Sequence, residues 1–294
     1  MLECIGNAMT NRNSNSSRFG LLRSLSFERS SLVGASIETY LLESIRVSHH
    51  VPGERTFHVL YLVAGLKEEK TLLQRYTRVS GRERAKRAVE GETGARFESF
   101  IARHARQQRC PLFTPPSSFV HTCVWQDGMT LEKSLRYLSL GGAPVCDFEM
   151  SFSTFKTALT KIGVDVDGVV SFLSVILHLG EITFSLSAAA GSGDDEFVCD
   201  DATVLQCISK LSGADPAHVE KALTERCMTT RNETFFIKNK LEQCITIRDA
   251  IARHMYKMLF DYLVVQINRG VATVPTEGRS RTTINVLDIF GFER

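Results

Sequence analysis

Two stretches far apart in this 294-residue chain carry side chains suited to holding a phosphate and a divalent cation. NRNSNSSRFG (11–20) has no apolar residue before Phe19. Phosphate recognition with magnesium uses hydroxyl and amide donors on a loop. Ser17 can place its hydroxyl on Mg²⁺, Asn13 and Ser16 can donate to terminal phosphate oxygens, and Arg18 can pair with a carboxylate elsewhere. LDIFGFE (287–293), near the other end, supplies Asp288, Gly291 and Glu293. Asp288 ends an apolar strand, a usual place for an acid that holds metal-bound water. Gly291 leaves a bare backbone N–H that can approach a phosphate closely. Singly each pattern is weak, because polar loops and strands ending in Asp are both commonplace. Together they are far more specific.

The elements that must position these residues follow from hydrophobic periodicity and capping. GLLRSLSF (20–27) continues the first stretch as a strand, and GASIETYLLESIRV (34–47) reads as a helix with Leu41, Leu42, Ile45 and Val47 mostly on one side and Ser36 able to cap it. A turn at Pro52-Gly53 opens a buried helix within 52–66. Residues 67–110 are strongly basic, lack a clear apolar face and end in CPLFTPPSSF, which predicts a solvated surface insertion. A patch for an acidic partner is the alternative there; no aromatic residues interleave in stacking style, which weakens a nucleic-acid reading. Helices are predicted over 148–164, 166–180, 201–212, 216–226 and 241–271, with strands over 181–187 and 282–294, the last buried and running into a loop. Asp200 or Asp201 can cap the helix at 201, Pro216 suits a first helical turn, and loops fill 188–196 and 274–281. Internal repeats are absent.

Composition bounds the function classes. A chain of this length buries one large core or two smaller ones. The 43% apolar and 23% charged shares are ordinary, and a net charge of +2 is too small to argue for nucleic acid. The eight Cys form neither a C-x-x-C pair nor, with His, a zinc spacing, so reduced thiols in a cytosolic protein are expected. In that setting the glycosylation patterns at Asn15 and Asn232 are chance. MLECIGNAMT lacks a basic head and apolar signal core. VVSFLSVILHLG (169–180) is too short to span a bilayer, so no membrane span is expected.

N-x-N-S-S-R-F-G together with D-I-F-G-F-E resembles the two nucleotide-sensing switches of the myosin motor domain. Kinesins share Ser-Ser-Arg in the first switch but usually follow it with Ser-His, and their second switch reads DLAGSE. The resemblance continues in order along the chain: IGNAMTNRNSNSSRFG is similar to GNAKTxxNxNSSRFG, IETYLLESIRV to ETYLLEKSRV, and PGERTFHVLY to GERNFHIFY. LRYLSLGG is similar to YxYLNxGG, VSFLSVILHLGEITF to ILAAILHLGNIxF, and RDAIARHMYKMLFDYLVVQIN to RDALAKxIYxxLFxWLVxxIN. Only 67–110 departs strongly.

The resemblance implies an α/β fold, a mostly helical partial myosin motor of the P-loop NTPase type with a few strands of the central sheet. It would occupy 1–294, with the basic insertion within it. It implies ATP and Mg²⁺ as cofactors, with Asn13, Ser16, Ser17 and Arg18 as first switch and Asp288, Gly291 and Glu293 as second. An Arg18–Glu293 salt bridge would close the site behind the γ-phosphate and hold the attacking water. Glu233, sixteen positions before Asp249, falls where myosins carry an acidic or phosphorylatable residue that tunes actin attachment. Actin filaments are the implied partner, light chains only if a lever follows downstream, and the location is the cytoskeleton within the cytoplasm. The phosphate-cradling G-x-x-x-x-G-K-[ST] run occurs nowhere in the sequence. The expectation is therefore a partial motor, the upper half of the actin cleft, that does not hydrolyse ATP alone. The alternative is a non-catalytic myosin-derived fragment. With neighbouring strands missing, those at 20–28 and 283–290 are expected to present unpaired edges.

Overall fold

The computed structural model describes residues 1–65, 135–140, 151–187, 196–229, 234–271 and 281–289. The predicted insertion at 67–110 lies outside them. The chain has two compact units: Met1–Ala64 with Thr130–Val170 and Arg253–Arg294, and Gly65–Met129 with Ser171–Ala252. Two helices, Val166–Glu181 (α5) and Leu241–Val271 (α8), contribute residues to both. The fold is mixed α/β and mostly helical, with small antiparallel sheets. Among the described residues no helix is long and apolar enough to cross a membrane.

In the first unit, a short helix Leu2–Gly6 (α1) leads into β1 (Asn7–Ala8), which pairs with β2 (Ser16–Ser17). A three-stranded sheet follows, ordered β4-β3-β9, from β3 (Gly20–Glu28), β4 (Ser31–Tyr40) and β9 (Thr282–Asp288). The helix predicted over 34–47 is therefore wrong: that segment is mostly β4, then a 3₁₀ turn at Ser44–Val47. Arg29 takes a left-handed φ of 55° at the hairpin turn, and β3 and β4 then pair from Glu28↔Ser31 back to Gly20↔Tyr40. Val33, Ile37 and Thr39 favour that extended ladder. Leu41, with a φ of 52° and 81% exposed, breaks the would-be helical stripe, and Ser36 is a strand residue rather than a cap.

β3 is also not an edge as expected, since it is paired on both sides, while β9 is an outer strand. Every residue of β9 is exposed, which corrects the buried strand predicted from its β-branched, apolar sequence. β4 has its outer edge closed at one point by a side chain: the Asn268 amide accepts from the Ile37 N–H at 2.7 Å and donates to its C=O at 2.8 Å.

The core of this unit forms where α8 meets the first-stretch segments. Phe260 meets Phe19 edge-to-face at 5.1 Å, and Tyr256 stacks on Phe57 at 4.6 Å while its hydroxyl donates to the Ile5 C=O at 2.8 Å. Helix α2 (His58–Gly65) lies within the predicted 52–66, and its Tyr61 hydroxyl donates to the C=O of Leu138, in α3 (Arg136–Ser139), at 3.1 Å. Helix α4 (Phe152–Lys161) starts at a Ser151 cap.

The second unit holds β5 (Phe184–Leu186) paired with β6 (Phe197–Cys199), then α6 (Ala202–Ser212) and α7 (Pro216–Thr224). Asp201 supplies the α6 cap, and Gly213, at φ 75°, ends the helix in the left-handed conformation that favours glycine. Helix α7 ends at Thr224, short of the predicted 226, because Glu225–Thr229 (β7) pairs with Thr234–Lys238 (β8). The sequence reading missed this hairpin. Arg248, buried on α8, donates to the Ile182 C=O at 2.8 Å and pairs with Asp249.

Candidate functional site

The first polar stretch is a tied loop. β1 and β2 pair through Asn7↔Ser17 and Ala8↔Ser16. The Thr10 N–H donates to the Asn13 C=O at 2.8 Å, and the Asn13 N–H returns a bond to Thr10 Oγ1 at 3.1 Å. Asn13 Oδ1 accepts from the Asn15 N–H at 2.9 Å, an Asx-type turn that leaves the nitrogen end of the amide as its donor. Asn7 donates to Asn15 Oδ1 at 3.1 Å, and Asn11 donates to the Pro52 C=O at 3.1 Å. Gly53, at φ 86°, lies so close to Asn11 that a Cβ there would collide with the amide. A Cβ at Gly6 would likewise run into the Phe19 ring. The asparagines thus build the loop.

Arg18 is held through both backbone and side chain. Its N–H donates to the Gly6 C=O at 2.8 Å, and its C=O accepts from the Glu43 N–H at 2.9 Å. Its Nε pairs with Glu43 Oε2 at 2.7 Å, and Nη1 donates to Ser16 Oγ at 3.1 Å. Glu43 also binds Arg46 at 2.8 Å, which reaches Glu54 at 2.8 Å in a buried pair. Burial alone would raise the Glu43 carboxyl; hydrogen bonds from Arg46 and Arg18, with their charges, hold it below its ordinary value. Sequence reasoning left Glu43 unassigned because it lay in a segment read as helix. Its signal was an acid followed three residues later by Arg46, within a stretch otherwise apolar.

Asp288 reaches the same sheet from the far end of the chain. β9 is antiparallel to β3, with Asp288 opposite Leu21, and the Ile289 side chain lies 3.7 Å from where a Gly20 Cβ would be. Asp288 is exposed at the end of its strand. Gly291 and Glu293 lie outside the described residues, as does Glu233 between β7 and β8. The structure therefore brings Ser16, Ser17, Arg18 and Asp288 into one unit. Among the described residues there is no group of three or more His, Cys, Asp or Glu side chains that could hold a metal. A Ser hydroxyl, a carboxylate and water are instead the hard oxygen donors that suit Mg²⁺.

A polar, tied loop and an acid-ended strand lie in one unit of this mixed α/β, mostly helical fold. The chain belongs to the myosin head (motor domain) family, whose profile matches residues 1–294. It is 32% identical over its whole length to unconventional myosin-Ia of Gallus gallus, covering 23% of that protein. It is 32% identical to myosin-1 of Arabidopsis thaliana, covering 21% of it, and 30% identical to myosin-IIIa of Mus musculus, covering 16%; each match again takes in the whole chain. The chain thus spans about a fifth of the length of the curated relatives it matches.

Proposed function

We propose that this chain is the switch-bearing part of an actin-based motor ATPase. Asn13, Ser16, Ser17 and Arg18 form its first switch, and Asp288, Gly291 and Glu293 its second. The observation that carries the reading is the β3–β9 register, which sets Asp288 opposite Leu21, three residues after Arg18. Directly opposed antiparallel residues have Cα atoms roughly 4.5–5.5 Å apart.

Bound ATP and Mg²⁺ supply the γ-phosphate to be cleaved and the charge that neutralises it. The Ser17 hydroxyl and, through water, the Asp288 carboxylate hold the cation. The Asn13 amide and Ser16 hydroxyl donate to terminal phosphate oxygens, and the Gly291 N–H approaches the same group. Arg18 pairs with Glu293, closing the site and orienting the attacking water. Breaking one side of a buried pair costs on the order of 3–5 kcal/mol. Actin filaments are the partner, engaged through the surface that carries Glu233, and the setting is the cytoskeleton. Light chains require a lever beyond these residues.

The test is ATP turnover by the full-length polypeptide that carries this sequence, with and without actin filaments, for wild type and Arg18→Ala. Actin-stimulated turnover that the substitution abolishes is expected; unchanged turnover in Arg18→Ala refutes the pairing. The 294-residue chain alone is expected to turn over negligible ATP, because it contains no G-x-x-x-x-G-K-[ST] run. The second reading is a non-catalytic myosin-derived chain. An endogenous product near 32.8 kDa that lacks turnover selects it.

A further inference from the structure

The ion pairs around Arg18 extend beyond the two switches. Glu43 meets Arg18 through both backbone and side chain, and its carboxylate is itself fixed. Oε2 accepts from Arg46 Nε at 2.8 Å and Oε1 from Arg46 Nη2 at 3.4 Å. Arg46 is in turn immobilised by Glu54 at 2.8 Å and by the Arg55 C=O at 3.2 Å. Arg46 and Glu54 are both buried, which anchors this end of the chain of charges.

We propose that Glu43 is a positioning residue for Arg18. By holding Nε, it fixes the direction in which the Nη edge of the guanidinium points; the proposal rests on the reading of Arg18 as the switch arginine. A guanidinium is a rigid planar fork of five N–H donors, so fixing Nε orients the others. Ser16 Oγ, which accepts from Nη1, sets the rotation about that anchor. Glu43 is shared between two guanidiniums, Arg18 and Arg46. Arg46 and Glu54 keep Glu43 in place.

The test uses the full-length polypeptide, measuring ATP turnover per active site together with thermal melting for Glu43→Gln, Glu43→Asp, Arg18→Lys and the double variant Arg18→Lys/Glu43→Gln. Misplacing a reacting group by about 1 Å can cost on the order of 100-fold in rate. Glu43→Gln is expected to lower kcat roughly 10- to 100-fold with little change in KM for ATP. Glu43→Asp should recover part of the loss. Lysine has no Nε–H in the guanidinium position, so adding Glu43→Gln to Arg18→Lys should lower kcat no further. A Glu43→Gln protein that melts lower but turns over at the wild-type rate per active site overturns the proposal. So does a double variant whose losses multiply. If Arg18→Lys itself leaves turnover unchanged, the switch reading fails first, whatever Glu43 does.

Discussion

The Asn268 amide closes the outer edge of β4 by pairing with both backbone groups of Ile37, across 231 residues of sequence. Each such bond contributes about 0.5–1.5 kcal/mol net, so removing both in Asn268→Ala should weaken local stability by about 1–3 kcal/mol. At about 1.4 kcal/mol per factor of ten, the Ile37 amide should exchange with deuterium roughly 5- to 150-fold faster. Asn268→Asp is nearly isosteric and sharpens the test. Its carboxylate still accepts from the Ile37 N–H but sets a second anionic oxygen against the Ile37 C=O. Only the protonated acid can donate there, so its folded pKa should lie above the ordinary carboxylate value of about 4. The Asp variant should therefore be least stable relative to wild type at neutral pH, and the gap should narrow as pH falls through that folded pKa. Wild-type exchange at Ile37 in both variants would show that the amide contributes nothing to holding the edge.

Removing the Asp201 carboxylate, which accepts from the Thr203 and Val204 N–H groups, should cost about 1 kcal/mol in denaturant titrations of Asp201→Ala. Phe260→Ala should cost about 3–5 kcal/mol, because the ring is fully buried and meets Phe19 edge-to-face, next to Arg18. Burial, with the Arg55 charge, depresses His58 to about 4, and burial depresses His50 and His178 as well. Depressed histidines stay neutral in the fold while the unfolded chain takes up protons below about 6.5. Stability is thus fully present above that value and falls as the solution is acidified toward pH 4. His58 alone contributes about 1–2 kcal/mol of that loss between pH 7.5 and 5, and melting that rises on acidification through this window would contradict the sign.

Local pattern located much of the helical framework. The recurrence of Ile247, Ile251, Met255, Leu259 and Leu263 marked the helix that spans Leu241–Val271, and Asp201 and Pro216 stand where capping and first-turn preferences put them. The segment around Ile37 was misread because its apolar residues also fit a helix. Its pairing with β3 and the left-handed turns at Arg29 and Leu41 settled the matter. The β7–β8 hairpin was missed because Met228, Phe235 and Phe236 are exposed and show no buried alternation.

By itself the sequence determined the chemistry available. It set hydroxyls and an arginine in one stretch, an acid at the end of a β-branched strand in the other, and an order of motifs that identifies the family. Those properties reside in residue types and short spacings, which survive without a fold. The tertiary structure alone decided that Glu43 holds Arg18 from 25 residues away. It also decided that β9 is an exposed outer strand in register with β3. Each of these depends on which distant segments share a ladder or a charge, and no local period encodes that choice.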